Sequence, residues 1–137
     1  MITVTKRKIA KVKKVVKEED KTKTKYVTTY KDIKKYFNFF NENIFNGELE
    51  PFNDIQIKEL KYQKCVGQVI ITDWKRKGTK VYELEMNLTY DTKKSFLDTL
   101  VHEMVHLYQM TILKDTGNHN KLFYSFRPVV ESMGLEL

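Results

Sequence analysis

The sequence predicts a single α+β domain in which helices pack on a small sheet. Its 137 residues are enough for one domain of ordinary size and too few for two. Two long segments have apolar residues at helical spacing, and three short runs with strand-like patterns lie between them. No apolar run approaches the roughly 18 residues that a membrane span requires, so we expect a soluble protein.

The first 25 residues differ in charge from the rest of the chain. They contain 10 Lys or Arg residues and three acidic residues, and this net charge of +7 equals that of the whole chain. Their apolar set is weak and interleaved with lysines; it comprises Ile9, Val12, Val15 and Val16. We therefore predict a basic, flexible arm over residues 1–25, disordered or marginally helical when free, ahead of a neutral domain over residues 26–137.

The first helix of the domain is predicted to begin after Thr28 or Thr29, since either residue can cap a helix. The apolar residues that follow at helical spacing are Ile33, Phe37, Phe40 and Ile44. The Asn46-Gly47 pair is a stop signal, which places the end of the helix just before it.

Three strand-like runs come next, at residues 54–60, 66–74 and 80–88. The last two are joined by the turn-rich, basic segment 75–79, which predicts an antiparallel hairpin. Together the three runs predict a small three-stranded sheet.

A second long helix is predicted from about Thr92 to Leu113, capped by Asp91 or Thr92 and broadly apolar on one face. A last helical stretch begins near His119. The Arg127-Pro128 pair should break or kink it, because proline disfavours a helical conformation at the residue before it.

The motif that carries chemistry lies in the second long helix. His102 and His106 fit the pattern H-E-x-x-H, whose spacing of four places both imidazoles on one helix face, where they can share a zinc ion. Glu103 stands where a general base for a metal-activated water is needed. Only roughly 0.005 such matches are expected by chance in a chain of this composition, so a fortuitous pair is a poor explanation.

A catalytic zinc ion usually has three protein ligands, so a third must come from elsewhere in the chain. The metzincin spacing fails, because Gln109 and Ile112 occupy the positions that Gly and the third His would need. His119 is the favoured candidate, since it is the remaining histidine and opens the last helical stretch. Glu131 is the alternative, as a carboxylate ligand on a following helix.

Three segments form a combination that is typical of one protein family. They are Phe45-Asn46-Gly47-Glu48-Leu49, Thr99-Leu100-Val101-His102-Glu103-Met104-Val105-His106 and His119-Asn120-Lys121-Leu122-Phe123. They resemble the F-x-G-x-L, T-L-x-H-E-M-x-H and H-G-x-x-F segments of the SprT-like zinc metallopeptidase family, which includes SprT and the Spartan catalytic domain.

This resemblance implies a minimal zincin-like metallopeptidase core. In it, an N-terminal helix and a small three-stranded sheet pack on an H-E-x-x-H active-site helix, which a C-terminal helix follows. It also implies one catalytic Zn²⁺ ion, with His119 as the third ligand beside His102 and His106. Two features depart from the family: Asn120 replaces the usual Gly, and the chain, which has one Cys and ends at Leu137, lacks the Cys-rich zinc ribbon.

Together these observations predict a zinc-dependent metalloendopeptidase with Glu103 as general base. Candidates for additional donors to an oxyanion are Tyr108, Tyr124 and Arg127. One alternative is a non-catalytic, zinc-containing DNA-binding adaptor; Glu103 argues against it, because a structural zinc site needs no carboxylate at the position of a base. A zinc hydrolase with a non-protein substrate is also open, since the motif specifies water activation and not the bond that is cleaved.

The charge distribution predicts an anionic partner, and the resemblance to DNA-linked proteases makes DNA the expected one. The predicted contacts are the basic residues 6–25, together with the turn of Lys75, Arg76 and Lys77. Trp74 can stack on an unpaired base, although packing at the end of a strand is the favoured role for it. The protein substrates are then expected to be DNA-associated. A single cysteine, Cys65, and the lack of a secretory signal predict an intracellular protein, cytoplasmic or nucleoid-associated.

Overall fold

A computed structural model describes residues 2–60, 65–74 and 79–137 of the chain. The basic turn of Lys75, Arg76 and Lys77 lies outside the described residues, and nothing is described of the Trp74 side chain. The helices are α1 (Lys6–Asp20), α2 (Tyr30–Ile44), α3 (Lys93–Thr111), α4 (Lys121–Tyr124) and α5 (Arg127–Ser132). The strands are β1 (Tyr26–Val27), β2 (Asp54–Ile57), β3 (Gly67–Trp74), β4 (Thr79–Met86) and β5 (Thr89–Tyr90). The predicted α+β class is confirmed.

The two predicted long helices begin where their capping residues indicate. The Thr29 hydroxyl accepts a hydrogen bond from the Asp32 backbone N–H at 3.1 Å, and the Thr92 hydroxyl accepts one from the Ser95 N–H at 3.2 Å. The first of them, α2, ends before Gly47, which has a left-handed φ of 73° that glycine adopts without strain. The predicted break near Arg127-Pro128 is confirmed as well, since α4 ends at Tyr124 and a separate helix, α5, begins with these two residues.

The predicted hairpin is also confirmed. Strands β3 and β4 pair antiparallel from Gly67 opposite Met86 to Trp74 opposite Thr79. Strand β2 joins the other edge of β4 in parallel, which gives the order β2-β4-β3 and leaves β3 at an edge of the sheet. A two-residue antiparallel pairing of β1 with β5 was not predicted, because neither strand has a sequence pattern long enough to reveal it.

The prediction of a flexible N-terminal arm is wrong for residues 6–20, which form α1. Val12 and Val16 lie one helical turn apart and are buried in the common core, with 0% and 2% of their surface exposed. Glu19 adds polar contacts at the end of the helix: it accepts a hydrogen bond from the Tyr36 hydroxyl at 3.1 Å and forms a salt bridge with Lys93 at 3.0 Å. Burying the two valines stabilises the docked helix by about 1.5 to 3 kcal/mol each, which the weak local pattern did not reveal.

The face of α3 that carries Thr99 is held against the sheet by a close approach at Gly67. A Cβ atom at Gly67 would lie 2.7 Å from the Thr99 Cγ2 atom, so only glycine lets β3 come this near to the helix. Thr99 precedes His102 by about one turn, and β3 therefore passes directly beside the motif. Among the described residues, no helix is long and apolar enough to cross a membrane.

Candidate metal centre

The α3 helix presents His102 and His106 on one face, as their spacing predicts. His106 is 8% exposed and His102 is partly buried, so both imidazoles are shielded from much of the solvent. The buried ring of Phe123 from α4 packs against these imidazoles, with centroid distances of 4.9 Å to His102 and 4.5 Å to His106. This packing limits the positions that the two rings can take.

His119 comes from the loop before α4 and meets the other two histidines. Its Nε2 atom lies 3.1 Å from His102 Nε2 and 3.0 Å from His106 Nε2. The three ligand atoms form a group within 4.8 Å of one another that can hold a metal ion. Glu131, the alternative third ligand, does not belong to this group; its side chain is 58% exposed and pairs with Arg127.

The histidine cluster fits a zinc ion in both spacing and charge. Ligands at 2.0 to 2.1 Å from a tetrahedral zinc ion are about 3.3 Å apart, which is close to the separations found here. Burial, together with the neighbouring His106 and His119, lowers the pKa of His102 to about 4. Burial also lowers the pKa of His106. Both rings are therefore neutral near pH 7, which is the form that coordinates a metal.

Glu103 lies next to the cluster and has no hydrogen-bonding partner among the described residues. Its side chain is 5% exposed and lines the same cleft as the histidines. Burial raises the pKa of its carboxyl group to about 8. A carboxyl group that titrates near neutral pH can both accept and return a proton.

The cleft has a volume of about 610 Å³ and lies between α3 and β3. Its helix side includes His102, Glu103 and His106, and its strand side includes Gly67 and Ile71. Because β3 is an edge strand among the residues that the structure describes, the cleft has a row of backbone groups along one wall. Such a wall can hydrogen-bond an extended chain.

The three candidate oxyanion donors occupy different places. Tyr108 lies away from the cleft, where its hydroxyl donates a 2.5 Å hydrogen bond to Glu48 and its ring packs on the core. Tyr124 lies beside His119, with 6.3 Å between ring centroids. The Arg127 guanidinium covers the Tyr124 ring at 4.5 Å. Of the three, Tyr124 is therefore the one near the histidine cluster, and Arg127 lies against its ring.

One residue of the site was missed by the sequence reasoning, which used Gln109 only to exclude the metzincin spacing. The Gln109 side chain is 0% exposed, and its Oε1 atom lies 3.2 Å from His106 Nδ1. The signal that points to it is a polar amide one turn after the second histidine, on the apolar face of a helix. Such a group is expected to have buried partners.

The chain was compared with known proteins. Neither curated proteins nor solved structures include a significant match. Among protein-family models, that of the SprT-like family matches residues 33–134, which is most of the chain and contains most of α2, the three-stranded sheet, the histidine cluster and Glu103. The chain therefore belongs to the SprT-like family.

Proposed function

We propose that the protein is a zinc-dependent metalloendopeptidase. Membership of the SprT-like family indicates a metallopeptidase-like domain. The observation that carries the proposal is the arrangement of three imidazole nitrogens around one point, with a buried carboxyl group in the same cleft that has no hydrogen-bonding partner in the described part of the chain. A purely structural metal site would have no use for that carboxyl group.

In this proposal His102, His106 and His119 hold the zinc ion, and Glu103 is the general base. When bound, zinc lowers the pKa of a coordinated water and polarises the carbonyl group of the substrate. Glu103 accepts the proton from the attacking water and later transfers it to the leaving amine. Its burial keeps it apart from bulk water, which favours direct transfer between the two reacting groups.

The edge strand β3 favours a peptide over a non-protein substrate. In the described part of the chain β3 pairs with β4 alone, so the other edge of β3 offers backbone donors and acceptors beside the cleft. A substrate in extended conformation can add to this edge as a further strand, which brings its carbonyl groups close to the histidine cluster.

Metal analysis and hydrolysis assays test the assignment together. We expect one zinc ion per chain in the wild-type protein and a loss of zinc in His102→Ala, His106→Ala and His119→Ala. Glu103→Gln should retain zinc but lose hydrolysis of an unfolded, basic protein substrate. Full zinc retention by His119→Ala would remove His119 from the site. Unchanged hydrolysis by Glu103→Gln would show that the base is another group.

We further propose that the substrates are DNA-associated proteins and that α1 provides the DNA contact. Residues 6–17 of α1 include seven basic residues and no acidic one. The acidic residues at the end of the helix are paired within the protein: Glu18 with Lys21, Glu19 with Lys93, and Asp20 with Lys23. The basic side chains of the exposed face therefore supply a row of positive charge for phosphate groups.

DNA binding is tested with substitutions that remove charges from α1 and not with a deletion of residues 1–25, because the deletion would expose the core around Val12 and Val16. We expect Lys13→Gln/Lys17→Gln to weaken DNA binding and to reduce the magnitude of the salt slope by about 0.9 for each phosphate group that the helix no longer neutralises. The control, Lys31→Gln/Lys121→Gln, removes the same charge from α2 and α4. Equal slopes for both variants would contradict the role of α1.

A hydrolysis assay with and without DNA separates the peptidase from the non-catalytic adaptor. Zinc-loaded protein is incubated with an unfolded basic protein, with and without single-stranded DNA, beside the Glu103→Gln variant. Hydrolysis by the wild-type protein but not by Glu103→Gln supports the peptidase. DNA binding with no hydrolysis under either condition would favour the adaptor.

A further inference from the structure

The Gln109 amide connects the helix that carries two histidines to the loop that carries the third. On one side its Oε1 atom lies 3.2 Å from His106 Nδ1. On the other side its Nε2 atom shares its two hydrogens among three oxygens, namely Asp115 Oδ2 at 2.8 Å, the Asn118 carbonyl at 2.9 Å and Asn120 Oδ1 at 3.0 Å.

The three acceptors determine which way the amide faces. A flipped amide would place its oxygen against a carboxylate, a carbonyl and an amide oxygen, none of which can donate to it in this arrangement. Asn120 Oδ1 is in addition held as an acceptor, because it receives the Phe123 backbone N–H at 3.0 Å. Gln109 Oε1 must therefore face His106.

This orientation determines the tautomer of His106. An amide oxygen can only accept a hydrogen bond, so the proton of the neutral imidazole lies on Nδ1. The His106 Nε2 atom then has a free lone pair, and it is this atom that faces His119 Nε2 at 3.0 Å. The ring is thus held in the form that coordinates a metal through Nε2.

The same amide anchors the loop on both sides of His119. Asn118 and Asn120 are the chain neighbours of His119, and both accept from Gln109 Nε2. Asp115 accepts from Gln109 and also from Asn120 Nδ2 at 2.9 Å, which closes the network. His119 itself is exposed, so this network, together with the rings of Phe123 and Tyr124, holds it in place.

We propose that Gln109 is a positioning residue for the metal centre. It sets the tautomer of His106 and fixes the loop of His119, so that both Nε2 atoms face the same point. The inference rests on the zinc site of the proposed function and adds to it a group that touches neither metal nor substrate.

Two substitutions separate the two roles. Gln109→Met has a similar volume but makes no hydrogen bond, so it loses both roles. Gln109→Glu still accepts from His106 Nδ1, but its second oxygen cannot donate to the loop. Gln56→Met, at an exposed residue of β2, is the matched control.

The readouts are zinc affinity, from competition with a chelator, and the His106 tautomer, from ¹⁵N NMR of the metal-free protein. We expect zinc affinity to fall about 10- to 100-fold in Gln109→Met, the range typical of partners that orient a metal-ligating histidine. The Nδ1–H tautomer should be lost as the dominant form in Gln109→Met and retained in Gln109→Glu. Zinc affinity should fall in Gln109→Glu as well, because its loop anchor is lost.

Unchanged zinc affinity and an unchanged tautomer in Gln109→Met would overturn the proposal. If that variant does not fold, Asp115→Ala tests the loop anchor from a residue outside the core; it should lower zinc affinity several-fold, and unchanged affinity would count against the anchor. The tautomer measurement needs neither metal nor hydrolysis. Failure of the peptidase proposal would therefore leave the test of Gln109 intact.

Discussion

Glu103→Gln should stabilise the metal-free protein while it abolishes hydrolysis. The carboxyl group is 5% exposed and has no hydrogen-bonding partner among the described residues, so the folded protein disfavours its charged form. Glutamine has nearly the same shape and does not ionise. The substitution therefore removes a cost of folding that the proposed role of Glu103 as general base requires.

The size of the effect follows from the pKa difference. Burial raises the pKa of Glu103 from 4.5 to about 8, so between these values the folded state binds a proton that the unfolded state has released. The free energy of unfolding must then fall as the pH rises through this window. Each pH unit within the window is worth about 1.4 kcal/mol, so the buried carboxyl group of Glu103 lowers the free energy of unfolding by about 1 kcal/mol at pH 5 and by about 3 kcal/mol at pH 7. Below pH 4.5 both states hold the proton, and the cost disappears.

Urea denaturation in the presence of a chelator measures this difference at pH values from about 5 to about 8, the window set by the two pKa values. The stability of Glu103→Gln relative to wild type should increase with pH over this range. Glu42→Gln, at an exposed residue of α2, is the control and should show no such increase. With saturating zinc the advantage of Glu103→Gln should shrink, because a nearby cation favours the ionised carboxylate.

A stability difference that does not change with pH would refute the reasoning, since the effect is attributed to one titrating group. So would a Glu103→Gln variant that is less stable than wild type near neutral pH. That result would mean that the carboxylate has a favourable partner in the folded protein.

The remaining predictions concern the fold around the site, and each is checked by urea denaturation. Val12→Ala should lower the free energy of unfolding by about 2 kcal/mol, because it leaves a cavity where α1 docks. A decrease of less than about 0.5 kcal/mol would support the flexible arm instead. Gly67→Ala should cost about 1 to 3 kcal/mol through the 2.7 Å contact with Thr99 Cγ2, and Thr99→Ser should relieve part of it. Tyr108→Phe should cost about 1 kcal/mol, because it removes the hydrogen bond to Glu48, and should leave hydrolysis unchanged; a large fall in kcat would return Tyr108 to the active site.

The parts of the fold that sequence reasoning predicts are those with a local cause. Thr29 and Thr92 cap their helices through hydrogen bonds to residues three positions later, and the pair of His102 and His106 depends only on the pitch of one helix. Each of these features is complete within a few neighbouring residues. The residue types and their spacing are then sufficient to predict these features.

The parts that it does not predict depend on surfaces that come together only in the folded chain. The parallel pairing of β2 with β4 joins segments that are far apart in sequence. Gln109 has a role because residues 115–120 bring three acceptors to its amide, and nothing in its own helix indicates them. His119 was favoured as the third ligand because it is the remaining histidine and opens the last helical stretch, and the family resemblance implies the same role; its spacing from the motif does not by itself specify that role.

The docking of α1 also depends on surfaces that meet only in the folded chain, and it shows where the domain begins. The family match begins at residue 33, yet Val12 and Val16 from α1 belong to the same core as the buried residues of α2 and α3. The salt bridge between Glu19 and Lys93 ties the end of α1 to the first residue of the helix that carries the metal motif. A helix that keeps the Glu103 carboxyl group buried needs stabilisation from its other packing partners, and α1 supplies part of it. The structural domain therefore begins at least as early as Lys6, and the basic residues of α1 lie on the surface of that domain rather than on a separate arm.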